Sequence, residues 1–258
     1  MSDLLRPRSA TEIVDSAFRL YRLHFGVIAT VALIILGPFS ILSYVVGGSG
    51  GELIERVMDF FMPIVSGATV LIVANVLHEV DVDVSGTFRQ LRGKWGSLIS
   101  ISFQQNLLIL VGFVCLVVPG VLALVWTFAA PMVTIVEGGR QRGTAFDRAR
   151  QLVRGQFWHT LAALGLSALA IFVLFVSAMF AVSFLAGLVH IGEATTNFVS
   201  NALFILLYPI FAISSGLLYF DLRIRTEAYD VERLAQILEI SAPIAASSPT
   251  NSTLGTPP

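Results

Sequence analysis

Six long apolar runs, at 25–45, 58–77, 98–118, 121–136, 158–189 and 198–220, take up most of this 258-residue chain. The hydrocarbon core of a bilayer is about 30 Å thick and takes about 20 helical residues to cross. Within it, only helices and closed barrels satisfy their own backbone hydrogen bonds. The runs therefore predict an all-α membrane protein with six transmembrane helices. Composition agrees, with 55% hydrophobic and only 13% charged residues and a mean hydropathy of +0.82. A soluble domain carries roughly 25% charged residues, so this chain cannot cover a water-facing surface in the usual way. It also has no basic face suited to nucleic acid. Residues 1–24 carry seven charged side chains and no continuous apolar core. No cleavable leader is expected there, and the run from Phe25 reads as an uncleaved signal anchor.

The basic residues are sorted by these runs. Arg6, Arg8, Arg19 and Arg22 precede the first, and Arg89, Arg92 and Lys94 lie between the second and third. Arg140, Arg142, Arg148, Arg150 and Arg154 lie between the fourth and fifth, and Arg223, Arg225 and Arg233 follow the sixth. Fifteen of the sixteen basic residues thus fall on one side, leaving Arg56 alone on the other. The positive-inside rule puts that side, with both termini, in the cytoplasm of a cell (plasma or inner) membrane. Six spans is the even number that this arrangement requires.

Short polar–apolar segments precede each pair of runs. Ser9 with Glu12, and Thr144 with Asp147, have the spacing of helix capping boxes. Ile13, Ala17, Phe18 and Tyr21 form one apolar face, and Ala145, Phe146, Ala149, Leu152 and Val153 form another. Such helices suit the headgroup layer or the inner ends of the spans. Arg-x-x-aromatic recurs from Arg22, Arg92 and Arg154, at spacings of 70 and 62 residues. This suggests a threefold repeat of helical hairpins, at 9–77, 84–136 and 144–220, in one polytopic domain spanning 1–240. A cytoplasmic helix at 221–240 with two i,i+4 ion pairs, Asp221/Arg225 and Arg223/Glu227, follows. The tail at 241–258 has the composition of a disordered segment. Gly47 to Gly51 read as a flexible outer loop, Gly37-Pro38 as a kink, and Pro119-Gly120 as the turn between spans three and four. Small residues at i,i+4 in span five (Ala163/Ser167, Ser177/Ala181 and Ser183/Gly187) suggest a central, closely packed helix.

Motifs for chemistry are absent. Cys115 is the only cysteine, which excludes an internal disulfide, and it reads as a small packed hydrophobe. His24, His78, His159 and His190 show no ligand spacing. No nucleophile elbow or phosphate-cradling loop occurs. No catalytic, cofactor or metal residue is expected. Gln104, Gln105, Asn106 and Asn201 form a candidate polar cluster at membrane depth, acting as glue between helices or as the lining of a path.

Trp126 and Pro131, then Glu137-Gly138, the helix ending at Trp158, and Tyr219-x-Asp221-x-Arg223-x-Arg225-x-Glu227 resemble the membrane domain associated with glycerophosphoryl diester phosphodiesterases and the YciC-like proteins. The resemblance covers about residues 6–235. Where that family often has Gly after the glutamate, this chain has Ala228. The resemblance implies a polytopic membrane domain. The phosphodiesterase chemistry of such proteins belongs to a separate barrel of about 250 residues, for which this chain has no room.

These readings favour a non-enzymatic protein that organises lipid or a partner at the cytoplasmic face, with Arg148, Arg150, Arg154 and Trp158 as the candidate surface. The expected partners are the bilayer, its anionic lipids, and a protein partner or a second copy of the chain. The alternative is a small-solute transporter or channel built on the span-three amides.

Overall fold

The computed structural model describes residues 8–138 and 144–246, with side chains as far as Glu227. Arg6, Arg140, Arg142, the side chain of Arg233 and the tail beyond 246 lie outside it. The described residues form helices and contain no strand. In chain order the helices are α1 (Ala10–Leu23), α2 (Phe25–Val46), α3 (Gly48–Asp59), α4 (Met62–Leu77), α5 (Val84–Leu91), α6 (Trp95–Cys115), α7 (Val117–Thr127), α8 (Ala130–Val136), α9 (Ala145–Val153), α10 (Phe157–Val189) and α11 (Glu193–Ala246). Six segments are long and apolar enough to cross a membrane: α2, α3 with α4, α6, α7 with α8, α10, and α11 as far as Glu227.

The core lies on α4 and α11. On α4 every residue from Gly67 to Ala74 is buried, and on α11 every residue from Ala212 to Tyr219 is buried. In lipid, apolar contact between helices gains nothing from the hydrophobic effect, so close packing and polar pairs hold the helices together.

Two of the short helices begin as the sequence suggests. Ser9 and Glu12 complete a capping box on α1, and Thr144 and Asp147 complete one on α9. Asp83 caps α5 through the Gly86 amide at 3.1 Å. The Arg-Gly pairs after α5 and α9 are also alike. Arg92 (φ −56°, ψ 129°) precedes Gly93 (φ +81°), and Arg154 (φ −60°, ψ 120°) precedes Gly155 (φ +84°). The Lys94 amide closes on the Leu91 carbonyl at 3.0 Å, and Gln156 on Val153 at 2.9 Å. Both are type II turns, whose third position needs a residue with positive φ and so favours glycine. His24, at the end of α1, has φ −114° instead.

On α9, the Thr144 hydroxyl and amide donate to Asp147 Oδ2 at 2.7 and 3.1 Å. These bonds hold the Asp147 carboxyl below the usual Asp range. The cap is therefore complete above the ordinary Asp pKa of about 4 and is lost as pH falls through the lowered value. Hydrogen exchange at the first amides of α9, corrected for the intrinsic rate, is expected to lose protection over that acidic window. Thr144→Ala should lose it at every pH.

α1 is laid along α11. The Arg8 amide donates to Asp221 Oδ1 at 2.7 Å, and the Tyr21 hydroxyl donates to the Leu206 carbonyl at 2.5 Å. Ile13 and Ala17, between them, are fully buried. Burial pushes the Tyr21 phenol up to about 12, which keeps it a neutral donor.

Several expectations need correction. Gly47 to Gly51 do not form a loop: α3 starts at Gly48. A Cβ on Gly51 would come within 2.8 Å of the Ser43 carbonyl, so glycine here lets α3 close onto α2. Pro119-Gly120 is not the turn either. The chain breaks at Leu116 (φ −170°, ψ 159°), and Pro119 and Gly120 lie in the first turn of α7, where proline loses no intrahelical bond. The helix expected at 221–240 continues span six without interruption. Span five is peripheral. Ala163 and Ser167 are buried, but Ser177, Ala181, Ser183 and Gly187 are exposed, because α10 is buried mainly along its first part, with Ala186 the exception near its end. Cys115 is also exposed, on a stretch of α6 that faces outward.

Candidate functional site

Most of the residues behind the family resemblance meet at one end of the bundle. Asp221, on the buried face of α11, has a side chain only 2% exposed. It accepts from the Arg8 amide at 2.7 Å, from Arg225 Nε at 2.7 Å, and pairs with His159 Nε2 at 3.1 Å. Arg225 Nη2 also donates to the Arg8 carbonyl at 2.7 Å. One carboxylate thus ties together the start of α1, the start of α10 and the end of span six.

A second group lies beside it. Glu137, just after α8, accepts from the Tyr219 hydroxyl at 2.8 Å and pairs with Arg148 Nε at 3.3 Å. Arg148 Nη2 reaches Glu227 at 2.5 Å, and Arg223 Nε reaches the same oxygen at 3.1 Å. Arg223 lies over the Tyr219 ring and Arg150 over the Trp126 ring, at 6.0 and 5.3 Å from the ring centres. Pro131 stands apart from the ion pairs and opens α8. In these ion pairs three carboxylates, of Asp221, Glu137 and Glu227, face three guanidinium groups, of Arg225, Arg148 and Arg223. The two i,i+4 pairs predicted on α11 are both formed.

The predicted surface set divides. Arg148 is held between two glutamates, whereas Arg150, Arg154 and Trp158 are exposed, Trp158 at 78%. Arg19, Arg22, Arg89 and Arg92 are exposed as well.

The amides expected at membrane depth also divide. Gln104 is exposed and donates to Ser100 Oγ at 3.2 Å. Gln105 and Asn106 line a cavity of about 280 Å³ together with Asp59, Ser66, Tyr208 and Ser215. Asn201 lies elsewhere and donates to Glu55 Oε1 at 2.7 Å. Asn201 and Asp221 are twenty residues apart on α11, about 30 Å along a helix.

Sequence reasoning missed His159, Arg8, Ser43 and Glu55. The capping and i,i+4 signals are local, and the Arg8–Asp221 contact bridges 213 positions. Among the described residues, no group of three His, Cys, Asp or Glu could hold a metal ion. Comparison with protein-family models, curated proteins and solved structures finds no match to this chain.

Proposed function

We propose that this is a non-enzymatic multi-pass protein that gathers anionic lipid headgroups around the cytoplasmic end of its helix bundle. One observation carries the reading. At the end where Asp221 and Glu137 neutralise the inner arginines, six others (Arg19, Arg22, Arg89, Arg92, Arg150 and Arg154) remain exposed around the rim. An arginine near an anionic leaflet contributes about 1 kcal/mol to binding. Trp158, exposed at the foot of α10, is a residue type that favours the headgroup level. On this reading, the short helices α5 and α9 are amphipathic elements of the cytoplasmic face, and both termini lie there. Helix order, together with the shared turns after α5 and α9, supports repeated hairpin units. The resemblance to phosphodiesterase-associated membrane domains fits as well, because the residues behind it mainly fasten the spans at this end.

The expected result is a lipid preference that depends on the rim. Combining Arg150→Gln, Arg154→Gln and Trp158→Ala should cut co-purified phosphatidylglycerol several-fold, measured by lipid mass spectrometry, and leave phosphatidylethanolamine unchanged. Arg148 is left intact because it holds Glu137 and Glu227. Equal phosphatidylglycerol in both proteins would end the proposal.

The cavity lined by Gln105 and Asn106 favours a second reading, passage of a small polar solute between spans two to six. Proteoliposome flux of glycerol or urea should then fall in Gln105→Leu and Asn106→Leu. Flux equal to that of protein-free vesicles would remove this reading.

A further inference from the structure

The opposite end of the bundle holds a cavity of about 300 Å³ between α2, α3 and the start of α11. Among the described residues three carboxylates line it, those of Glu52, Glu55 and Glu193, and neither Lys nor Arg does. Glu55 is fixed in place: its Oε1 accepts from Ser43 Oγ at 2.9 Å and from Asn201 Nδ2 at 2.7 Å.

A second feature lies one turn deeper on α2. Ser40 lines the same cavity and is 4% exposed. Its hydroxyl is a buried polar atom with no hydrogen-bond partner. A helical serine or threonine has an acceptor within reach in the carbonyl four residues back. Thr69, Ser167 and Ser214 all use theirs in this protein, at 2.7 to 3.0 Å. Ser40 does not. An unsatisfied buried group of this kind calls for an explanation, and a ligand seated above it supplies one.

The arrangement also indicates the ligand class. The carboxylates surround the space without converging, and no three of them could hold a metal ion among the described residues. Charge spread around a cavity this large suits a bulky, diffuse cation. The rings of Tyr44 and Phe198, 5.1 Å apart, line one side, and aromatic faces attract organic cations.

We propose that this cavity binds a small organic cation carrying an ammonium group. Glu55 is its counter-ion, Glu52 and Glu193 draw it to the mouth, and the Ser40 hydroxyl accepts a hydrogen bond from an N–H of the ligand or, where the nitrogen is quaternary, from its O–H. The site is independent of the arginine rim. The ammonium group has two sources, a free amine or the headgroup of a lipid in the facing leaflet.

The test measures melting of the full chain in two settings. In lipid-free detergent, ethanolamine hydrochloride and choline chloride are compared with sodium chloride at equal ionic strength. In nanodiscs, phosphatidylglycerol alone is compared with phosphatidylglycerol plus phosphatidylethanolamine. A higher midpoint with the soluble amines supports the site and identifies a free amine; a rise confined to phosphatidylethanolamine discs supports it and identifies a headgroup. Glu55→Gln keeps the oxygen that Ser43 and Asn201 use, yet should abolish the rise. Ser40→Ala should weaken binding about ten-fold, or about 1.4 kcal/mol, while melting no lower than wild type without probe. No rise in either setting, an equal rise with sodium chloride, or a rise that survives in both variants would overturn the proposal.

Discussion

Asp221→Ala is expected to lower the unfolding free energy by about 3–5 kcal/mol, the cost of breaking a buried ion pair by removing one partner. The mutation strips Arg225 and His159 of their shared carboxylate and removes the oxygen that accepts from the Arg8 amide. Asp221→Asn keeps a neutral acceptor for that amide and should lose less. Denaturation titrated with sodium dodecyl sulfate measures the difference. The two variants should also differ at the start of α1, where exchange of the Arg8 amide should rise most in the alanine protein. Equal stability of Asp221→Ala and wild type would mean that α1 is held by its apolar face alone.

The second large effect is expected at Gly112. A Cβ there would lie 2.9 Å from Gly120 Cα and 3.0 Å from the Pro119 carbonyl. Both neighbours are backbone, so no side-chain rotation relieves the clash, and Gly112→Leu must part α6 from α7. α6 has little else to hold it, since Leu98 and Ser102 are its only buried residues. Overpacking costs about 1–3 kcal/mol, occasionally more, and this site belongs at the upper end. Gly96 is the control: it lies on the same helix with nothing within 4 Å of a Cβ. Gly96→Ala should stabilise slightly through helix propensity. A spin label on Cys115, the only cysteine and exposed beside the break, reads the opening directly. An unchanged spectrum and melting point in Gly112→Leu would show that the hairpin does not depend on this contact.

The six spans were legible in the sequence because each depends on the apolarity of one run. The capping boxes at Ser9 and Thr144 and the i,i+4 pairs on α11 were legible for the same reason, being local. Contacts that depend on a distant segment were not. Gly48 to Gly51 look like a loop by propensity, and only the Ser43 carbonyl 2.8 Å from a Cβ on Gly51 accounts for a glycine-rich helix start. Small residues in α10 look like a packing seam, yet nothing in them says whether a neighbour is present, and from Ser177 onward most face outward. Arg148 reads as a headgroup ligand from its own helix. It became internal because Glu137 and Glu227, 11 residues before it and 79 after, converge on it.

The length of α10 has a consequence for the surrounding lipid. Beyond His159, which belongs to the polar cluster, the rest of this 33-residue helix measures about 45 Å at 1.5 Å per residue. Even at a tilt of about 40°, the steep end of what such helices adopt, it spans about 34 Å along the bilayer normal, against an average hydrocarbon thickness of about 30 Å. Its far end cannot simply emerge into water, since Phe184, Leu185, Leu188 and Val189 are 57–70% exposed there. The acyl chains beside α10 must stretch to cover them, which favours thicker regions of membrane over thinner ones.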